Sequence, residues 1–349
     1  MAYTNASKIY NLVGAEAVVT EAEDLRKYLT GFSSSFGYVI SDKNGSTFYT
    51  DSRYLEAAEK LLKGSEISVK EYSSTIEQLL SGYKQVAVPL DRIGYLSYKK
   101  LQEARFSIFD SSPAFTKAMA VKEDYELANI KEACEIADKA FVKLLSEIKE
   151  GMTENEVAAL LEFLMRQGGA SGASFETIVG FGENSSVPHH ETGNRKLHFG
   201  DIILIDFGCK FNGYCSDCTR TILFGDDKKH DEFKKAYSRV LEAHMLVKDK
   251  LISGMTGREA DAIARNLLKD FGLDHLFTHS LGHGIGINIH EFPRLSTKSE
   301  DKLVNGMVFS DEPGIYLAGE YGIRIEDTVM LENDRVISLT DSDKKLIIL

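Results

Sequence analysis

The chain has 349 residues, of which 43% are hydrophobic and 27% charged, a composition typical of a globular protein with room for two cores. Its net charge of −12 argues against nucleic acid as a partner, because phosphate backbones attract basic surfaces. No apolar run approaches the ~20 residues that cross a bilayer, and the N-terminus lacks the basic-then-apolar pattern of an export signal. With four cysteines, which suit a reducing compartment, we expect a cytoplasmic protein that binds neither membranes nor nucleic acid.

Residues 1–115 are predicted to form a small α/β domain. Its predicted elements, in chain order, are strands at 37–40 and 47–50 around an Asn44-Gly45 turn, a helix at 54–62 and a strand at 86–89. The Asp-Ser-Ser-Pro sequence at residues 110–113 predicts a linker, since serine and proline favour irregular backbone. A second domain is expected over residues 120–349.

This second domain carries one unit twice. The Gly-Met-Thr sequence at residues 151–153 recurs at 254–256, an offset of 254 − 151 = 103. A long helix is predicted before each motif, over residues 122–149 and 231–252. A threonine followed three residues later by glutamate then starts a second helix in each copy, at Thr153/Glu156 and Thr256/Glu259. Two helices followed by strands, twice over, predict an α+β sandwich with pseudo-twofold symmetry.

Acidic residues occupy matching places in the two copies. Asp206 and Glu312 each follow a glycine by six residues, while Asp217 and Glu326 each follow another glycine by four. A duplicated fold would bring the two strand pairs together at one seam, where four carboxylates cannot all stay ionised without cations. Solvated surface charge is the alternative interpretation, but it does not explain the repetition in two β-rich units. The pattern therefore predicts a metal site.

Hairpin geometry positions the first acidic pair. Asn212-Gly213 is a two-residue turn signal between two β-rich segments. The resulting register places Asp206 opposite Thr219, with Asp217 diagonal to both on the same face. The corresponding face of the second copy carries Arg324, Glu326 and Thr328.

Three of the nine histidines lie in one glycine-rich segment: His279, His283 and His290. The first two have the spacing of a helical zinc pair, but Gly282, Gly284 and Gly286 would destabilise a helix, so a loop or irregular strand is predicted. Any one of these histidines could be a core residue; three beside a carboxylate cluster favour a site. One imidazole with four carboxylates suits two Mn²⁺, Co²⁺, Fe²⁺ or Zn²⁺ ions.

With these motifs assembled, the chain resembles the pita-bread metallopeptidases, in the branch of the Xaa-Pro aminopeptidases (aminopeptidase P) and the Xaa-Pro dipeptidases (prolidases). The resemblance is strong over residues 120–349 and looser before them. It implies a duplicated pita-bread catalytic domain preceded by a smaller creatinase/prolidase-like α/β domain. The motifs that carry it are Ile205-Asp206-Phe207-Gly208, Ser216-Asp217-Cys218-Thr219-Arg220-Thr221, Gly282-His283-Gly284-Ile285-Gly286, His290-Glu291-Phe292-Pro293, Glu312-Pro313-Gly314-Ile315-Tyr316 and Arg324-Ile325-Glu326-Asp327-Thr328.

The resemblance implies two divalent metal ions per chain, Mn²⁺ first, with Co²⁺, Zn²⁺ and Fe²⁺ as alternatives. By that resemblance Asp206 would bind one ion, commonly through both oxygens. Asp217 and Glu326 would bridge the two ions, and His283 and Glu312 would complete the shell of the other.

The resemblance also implies residues around the metals. His189, His279 and His290 would line the substrate site, Arg324 would support the bridging carboxylate or the substrate, and Thr219 would support the ligands without binding metal. A proline ring needs an apolar pocket, for which the chain offers Phe175, Phe181, Phe292 and Tyr316.

The implied activity is hydrolysis of the first peptide bond of Xaa-Pro substrates by a metal-bridging hydroxide, in an expected homodimer. Glu312 would carry a proton to the leaving nitrogen, and His290 or His279 would stabilise the oxyanion. The alternative is a dipeptidase in which Arg294 holds the substrate carboxylate; a solvated loop arginine is the competing interpretation. More distant alternatives are a methionine aminopeptidase, a metal-free creatinase-type hydrolase and a non-catalytic binding module.

Two segments depart from the family pattern. His190 follows His189, where a small or apolar residue is commoner. Ser310 and Asp311 precede Glu312, where threonine and an apolar residue are commoner. A strand would turn Asp311 away from Glu312, so neither departure removes a predicted ligand.

Overall fold

A computed structural model describes residues 5–227 and 230–349. The chain divides into two compact units, Met1–Met119 and Ala120–Leu349. Within the described ranges, no helix combines the length and the apolar character needed to span a bilayer.

The first unit contains a six-stranded mixed sheet in the order β4-β3-β2-β1-β5-β6, with β1 antiparallel to β2 and parallel to β5. The predicted hairpin is present as β2 and β3, in the register Tyr38↔Tyr49. The elements are α1 (Asn5–Val13), β1 (Ala17–Thr20), α2 (Glu23–Thr30), β2 (Tyr38–Asp42), β3 (Gly45–Thr50), α3 (Leu55–Leu62), β4 (Ile67–Glu71), α4 (Ile76–Leu79), β5 (Gln85–Val88), α5 (Tyr95–Glu103), β6 (Ser107–Asp110) and α6 (Ser112–Ala120).

The interpretation of residues 110–113 as a linker is wrong. They form the end of β6 and the start of α6. The Asp110 Oδ1 atom accepts hydrogen bonds from the Ser112 amide at 2.8 Å and from its hydroxyl at 2.6 Å. Pro113 is tolerated because the first turn of a helix leaves its amides without helical partners. The same residues that suggest a linker thus serve as a helix start.

The second unit repeats a pair of helices followed by strands. The first copy consists of α7 (Asp124–Leu145), α8 (Glu154–Gln167), β7 (Gly172–Ala173), β8 (Ile178–Phe181), a 3₁₀ helix (Gly182–Ser186), β9 (Asp201–Phe207), β10 (Cys209–Phe211), β11 (Tyr214–Cys215) and β12 (Cys218–Phe224). The second consists of α9 (Asp231–Lys250), α10 (Gly257–Asp270), a 3₁₀ helix (Asp274–Leu276), β13 (Gly282–Gly284), β14 (Glu291–Leu295), β15 (Val308–Asp311), β16 (Gly314–Leu317), β17 (Tyr321–Arg324), β18 (Asp327–Glu332) and β19 (Arg335–Ser338).

The two predicted capping boxes start α8 and α10. Thr153 Oγ1 accepts from the Glu156 amide at 3.1 Å, and Thr256 Oγ1 accepts from the Glu259 amide at 3.2 Å. Each glutamate in turn accepts from the amide of its threonine, at 2.7 and 2.8 Å. Both copies therefore begin their second helix by the same local mechanism, as expected of a duplicated unit.

Each copy has its own apolar core behind its functional strands. The strand order is β12-β9-β8 in the first copy and β14-β13-β15-β18-β19 in the second. Fully buried side chains on the core faces include Ile203, Ile205 and Phe207 in the first copy and Ile323, Ile325 and Val329 in the second. Burial of each such side chain contributes about 1.5–3 kcal/mol, so the opposite, polar faces rest on rigid supports.

The predicted first hairpin is interrupted at Gly208. The register Asp206↔Thr219 is present as expected, and Asn212 and Gly213 form the turn with positive φ angles of 49° and 85°. At Gly208 the chain passes so close to the opposite strand that a Cβ atom would lie 1.9 Å from the Ser216 carbonyl oxygen. The ladder therefore splits into two sheets, which leaves Asp217 between β11 and β12 instead of within a strand.

Candidate metal and substrate site

The five predicted metal ligands meet where the two copies face each other. Ligand atoms of Asp217, His283 and Glu326 all lie within 4.8 Å of one another. The His283 Nε2 atom is 3.6 Å from Asp217 Oδ2 and 3.5 Å from Glu312 Oε1. Asp206 joins the group through its β9 position opposite Thr219, whose hydroxyl donates to Glu326 Oε2 at 2.6 Å.

Burial disfavours the charged form of these carboxylates when no cation is nearby. Burial, followed by repulsion from Glu326, Asp206 and Glu312, raises the pKa of Asp217 well above its usual value. Burial and the charges of Glu312 and Asp206 likewise raise the pKa of Glu326. Burial also raises the pKa of Glu312 to about 8. Positive charge placed among these groups would return them to the ionised state, so the donor set fits divalent cations.

Asp206 presents one oxygen that the protein does not satisfy. Its Oδ2 atom accepts from Arg324 Nη2 at 2.6 Å, whereas its Oδ1 atom is buried without a hydrogen-bond partner. Buried carboxylate oxygens are normally hydrogen-bonded or bound to metal. The lack of a protein partner for Asp206 Oδ1 is therefore a second observation that fits a bound cation.

His283 is held with one ring nitrogen directed at the acids. Its Nδ1 atom lies 3.1 Å from the Gly284 carbonyl oxygen, which assigns the ring proton to Nδ1. The Ser310 hydroxyl accepts from the His283 amide at 3.0 Å. Burial and the nearby His290 ring lower the pKa of His283 to about 4, so the ring stays neutral at pH 7. The Nε2 lone pair is then available to a metal.

Arg324 and Thr219 join the two copies behind the ligands. Arg324 Nε donates to Thr219 Oγ1 at 2.9 Å, and Arg324 Nη1 donates to the Tyr316 hydroxyl at 2.7 Å. Because its other terminal nitrogen donates to Asp206, every nitrogen of the buried guanidinium has a partner in the protein. This arrangement fits the predicted supporting role of Arg324 towards a carboxylate ligand, and it leaves few donors for a substrate.

His279 differs from the other site histidines because both of its ring nitrogens are already engaged. Nδ1 donates to the Ser280 carbonyl oxygen at 2.8 Å, and Nε2 accepts from the Tyr316 hydroxyl at 2.9 Å. Burial and the Arg324 charge lower the pKa of His279 to about 3. A neutral ring with this tautomer has no N–H left for a substrate oxygen, which favours His290 for that role.

A cavity of about 390 Å³ opens beside the five ligands. His189 and His290 are exposed at it, and burial together with the nearby His189 ring lowers the pKa of His290. The lining residues are Phe175, Glu176, Ile178, Pro188, His189, Asp206, Asp217, His279, Ser280, His283, Ile289, His290, Glu312, Arg324 and Glu326.

Of the remaining predicted site residues, Phe175 lines this cavity, whereas Arg294, Tyr316 and Phe181 are not among its lining residues. Arg294 is exposed on β14 and pairs across the ladder with His283. Tyr316 lies behind His279 and Arg324. Phe181 is wrong as a proline-pocket residue, because it is fully buried in the first core, whereas Phe175 does line the cavity.

A buried charged cluster behind the ligand strands was not predicted. His244 on α9 lies between two carboxylates, with Nδ1 3.1 Å from Asp311 Oδ2 and Nε2 3.3 Å from Asp327 Oδ2. Arg220 donates to the other Asp327 oxygen at 2.8 Å. Asp311 and Asp327 pair directly across β15 and β18, each next to a ligand glutamate. A histidine within the apolar stripe of Tyr237, Val240 and Val247 was the available sequence signal.

Comparison with known proteins assigns this arrangement to a family. The chain matches metallopeptidase family M24 over residues 128–333 and the creatinase/prolidase N-terminal domain over residues 7–121. A Xaa-Pro dipeptidase of Pyrococcus furiosus is 36% identical over 318 residues, which cover 89% of each chain. A solved Xaa-Pro dipeptidase from Bacillus anthracis superposes with a TM-score of 0.92 at 36% identity, covering 99% of both chains. A solved X-Pro aminopeptidase from Thermotoga maritima superposes with a TM-score of 0.91 at 33% sequence identity, covering 98% of this chain and 99% of that chain.

Proposed function

Because the chain belongs to metallopeptidase family M24, with a creatinase/prolidase-type domain before a pita-bread catalytic domain, we propose that it removes the first residue of peptides whose second residue is proline. The predicted fold class and enzyme class are confirmed by this membership. The observation that carries the proposal is the buried set of four carboxylates and one neutral imidazole on a cavity of about 390 Å³. That volume suits a peptide end, at the lower part of the range for small-ligand pockets.

The proposed cofactor is a pair of divalent cations, with Mn²⁺ as first choice. When bound, they would lower the pKa of a water molecule and polarise the scissile carbonyl. The residues proposed to hold them are Asp206, Asp217, His283, Glu312 and Glu326.

Glu312 is the proposed proton carrier. Its Oε1 atom accepts from the Ser310 hydroxyl at 3.0 Å, which fixes the carboxyl group, while Oε2 lies 3.9 Å from the His279 ring. The group can take the proton of the attacking water and pass it to the leaving nitrogen. Ser310, one of the two departures from the family pattern, thereby orients this carboxyl group.

His290 is the proposed donor to the carbonyl oxygen as it becomes anionic. Its ring is exposed at the cavity and packs against His283, with ring centroids 4.3 Å apart. Burial and the nearby His189 lower the pKa of His290, so a neutral ring with one N–H is the form at pH 7. An apolar wall beside it suits a proline ring, through Phe175, Ile178, Pro188 and Ile289.

The test is a metal-replacement assay on matched peptides. Chelated enzyme, verified as metal-free by elemental analysis, should be inactive on Xaa-Pro-Yaa tripeptides and should recover with Mn²⁺. Xaa-Ala-Yaa peptides serve as the control and should be cleaved far more slowly. Full turnover by verified metal-free enzyme would refute the metallopeptidase mechanism, and equal cleavage of both peptide series would refute the proline specificity.

A second candidate, the dipeptidase, is favoured by Arg294. Its exposed guanidinium lies across the ladder from His283, and the described structure gives its side chain no hydrogen bond or ion pair. Arg294→Gln should then raise KM for Xaa-Pro dipeptides about tenfold and leave Xaa-Pro-Yaa amides unchanged. Lys298→Gln, at a nearby exposed position, is the control. An equal effect on both substrate series would contradict a role for Arg294 in binding the free carboxylate of the dipeptide.

A further inference from the structure

The segment that presents His189 to the cavity has few hydrogen bonds to the rest of the protein near its tip. This segment, residues 182–195, is here called the His189 loop. Its tip, Val187 to His189, is largely exposed, and Pro188 and His189 line the cavity. Between residues 187 and 191, the described structure gives two hydrogen bonds to the rest of the protein. His190 Nε2 lies 3.0 Å from Glu154 Oε2, and the Pro188 carbonyl oxygen accepts from Arg324 Nη1 at 3.4 Å.

The partner of His190 is Glu154, a fully buried glutamate in the first turn of α8. Its Oε1 atom accepts from the Phe181 amide at 2.9 Å and from Asn184 Nδ2 at 2.8 Å. Its Oε2 atom accepts from the Gly193 amide at 3.0 Å and lies 3.0 Å from His190 Nε2. One carboxylate therefore joins the strand before the loop to residues 184, 190 and 193 of the loop. The helix N-terminus favours the negative charge that this requires.

The side chains of His190 and His189 have different surroundings. The His190 side chain is 16% exposed and points inward to Glu154, whereas His189 is exposed at the cavity. The His190 amide also donates to the Val187 carbonyl oxygen at 3.1 Å, which closes the turn at the tip. Fixing the His190 ring thus fixes the peptide unit from which His189 projects.

The second copy has no equivalent of this contact. The position matching Glu154 is Gly257, where a Cβ atom would lie 2.0 Å from the Arg294 carbonyl oxygen. Strand β14 there occupies the space that the Glu154 side chain occupies in the first copy. The contact is consequently a feature of the first copy alone and is not a general requirement of the duplicated fold.

We propose that His190, held by Glu154, is a positioning residue that sets the orientation of His189 towards the substrate. The inference rests on the proposed function in taking His189 to touch substrate. It explains why a polar residue stands at position 190: a small or apolar side chain there would leave the Glu154 carboxylate one donor short and would remove the side-chain anchor next to His189.

The test is a double-mutant cycle on the metal-loaded enzyme. His190→Leu removes the donor, and His190→Gln retains an N–H at similar reach. His190→Leu should lower kcat/KM for a Xaa-Pro-Yaa peptide tenfold or more, while His190→Gln stays within about twofold of wild type. In a His189→Ala background, His190→Leu should add less than a twofold loss, because the residue through which it acts is gone. His198→Leu, an exposed histidine outside the cavity, is the matched control.

Equal losses from His190→Leu in both backgrounds would overturn the proposal, because the residue would then act on the fold and not through His189. The rate of amide hydrogen exchange in peptides covering residues 182–195 measures the order of the His189 loop without any substrate. Exchange there should be faster in His190→Leu and unchanged in His190→Gln. If the wild-type enzyme cleaves no proline peptide, the proposed function fails, but the exchange result still decides whether His190 orders the loop; unchanged exchange in His190→Leu would refute it.

Discussion

Replacing His244 by leucine tests whether the charged cluster behind the ligand strands is energetically coupled. Within the described structure, His244 is the one cation within 4 Å of Asp311, and all three residues of the His244, Asp311, Asp327 group are fully buried. Removing the imidazole leaves Asp311 with no cation within 4 Å in the described structure, whereas Asp327 keeps Arg220 at 2.8 Å and Lys344 at 3.1 Å. Breaking a buried ion pair from one side costs about 3–5 kcal/mol, and we expect that loss from His244→Leu.

The assay is urea unfolding of metal-free protein followed by far-UV circular dichroism, with hydrogen exchange of α9 peptides to report the local effect. The matched control is the double variant His244→Leu/Asp311→Leu, which removes both members of the buried ion pair. We expect it to lose less than about 1.5 kcal/mol relative to wild type, since removing both charges leaves no unpaired ion in the buried site. A loss of under about 1 kcal/mol for the single variant, or additive losses in the double variant, would refute the reasoning.

Three further outcomes are expected. Asp311 and Asp327 outweigh the burial that opposes charge and raise the pKa of His244 to about 9. Its stabilisation is therefore fully present below the unfolded value of about 6.5 and is lost as pH rises through 9, so the stability difference between wild type and the double variant should shrink between pH 7 and 10 in urea titrations. Asp217→Asn should abolish metal binding in calorimetry while leaving the metal-free protein as stable as wild type or more so, because it removes a carboxylate that its neighbours repel; a large loss of metal-free stability would make Asp217 structural. His290→Ala should lower kcat by roughly 10²–10³-fold with normal metal content by elemental analysis; loss of one ion together with normal turnover in excess metal would identify His290 as a ligand instead.

The sequence predicted those parts of the site that depend on local geometry. The Asn212-Gly213 turn sets the register of its hairpin, so the pairing of Asp206 with Thr219 follows from residue counting. The capping boxes at Thr153 and Thr256 likewise need only four consecutive residues each. The convergence of the two acidic pairs followed from the repeat itself, because equivalent elements of a duplicated fold face each other.

Features that depend on tertiary contact were not predictable in the same way. The break at Gly208 arises from the approach of Ser216, which propensity cannot reveal. His244 and Asp327 are 83 residues apart and meet only because α9 packs on the back of β18. The engagement of both His279 nitrogens depends on the carbonyl of Ser280 and on Tyr316, which lies 37 residues away. In each case the residue can be read from the sequence, but the residue that it contacts is known only from the tertiary structure.

The seam between the two copies has a consequence for the order of events during synthesis. Asp206 and Glu326, the first and last of the proposed ligands, are separated by 326 − 206 = 120 residues. At about 5–20 residues per second, the ribosome needs roughly 6–24 s to travel from one to the other. During that interval the nascent first copy has neither the Glu326 partner of Thr219 nor the Arg324 partner of Asp206. Binding of metal by the complete set of proposed ligands therefore cannot precede the synthesis of Glu326, however early the first copy folds.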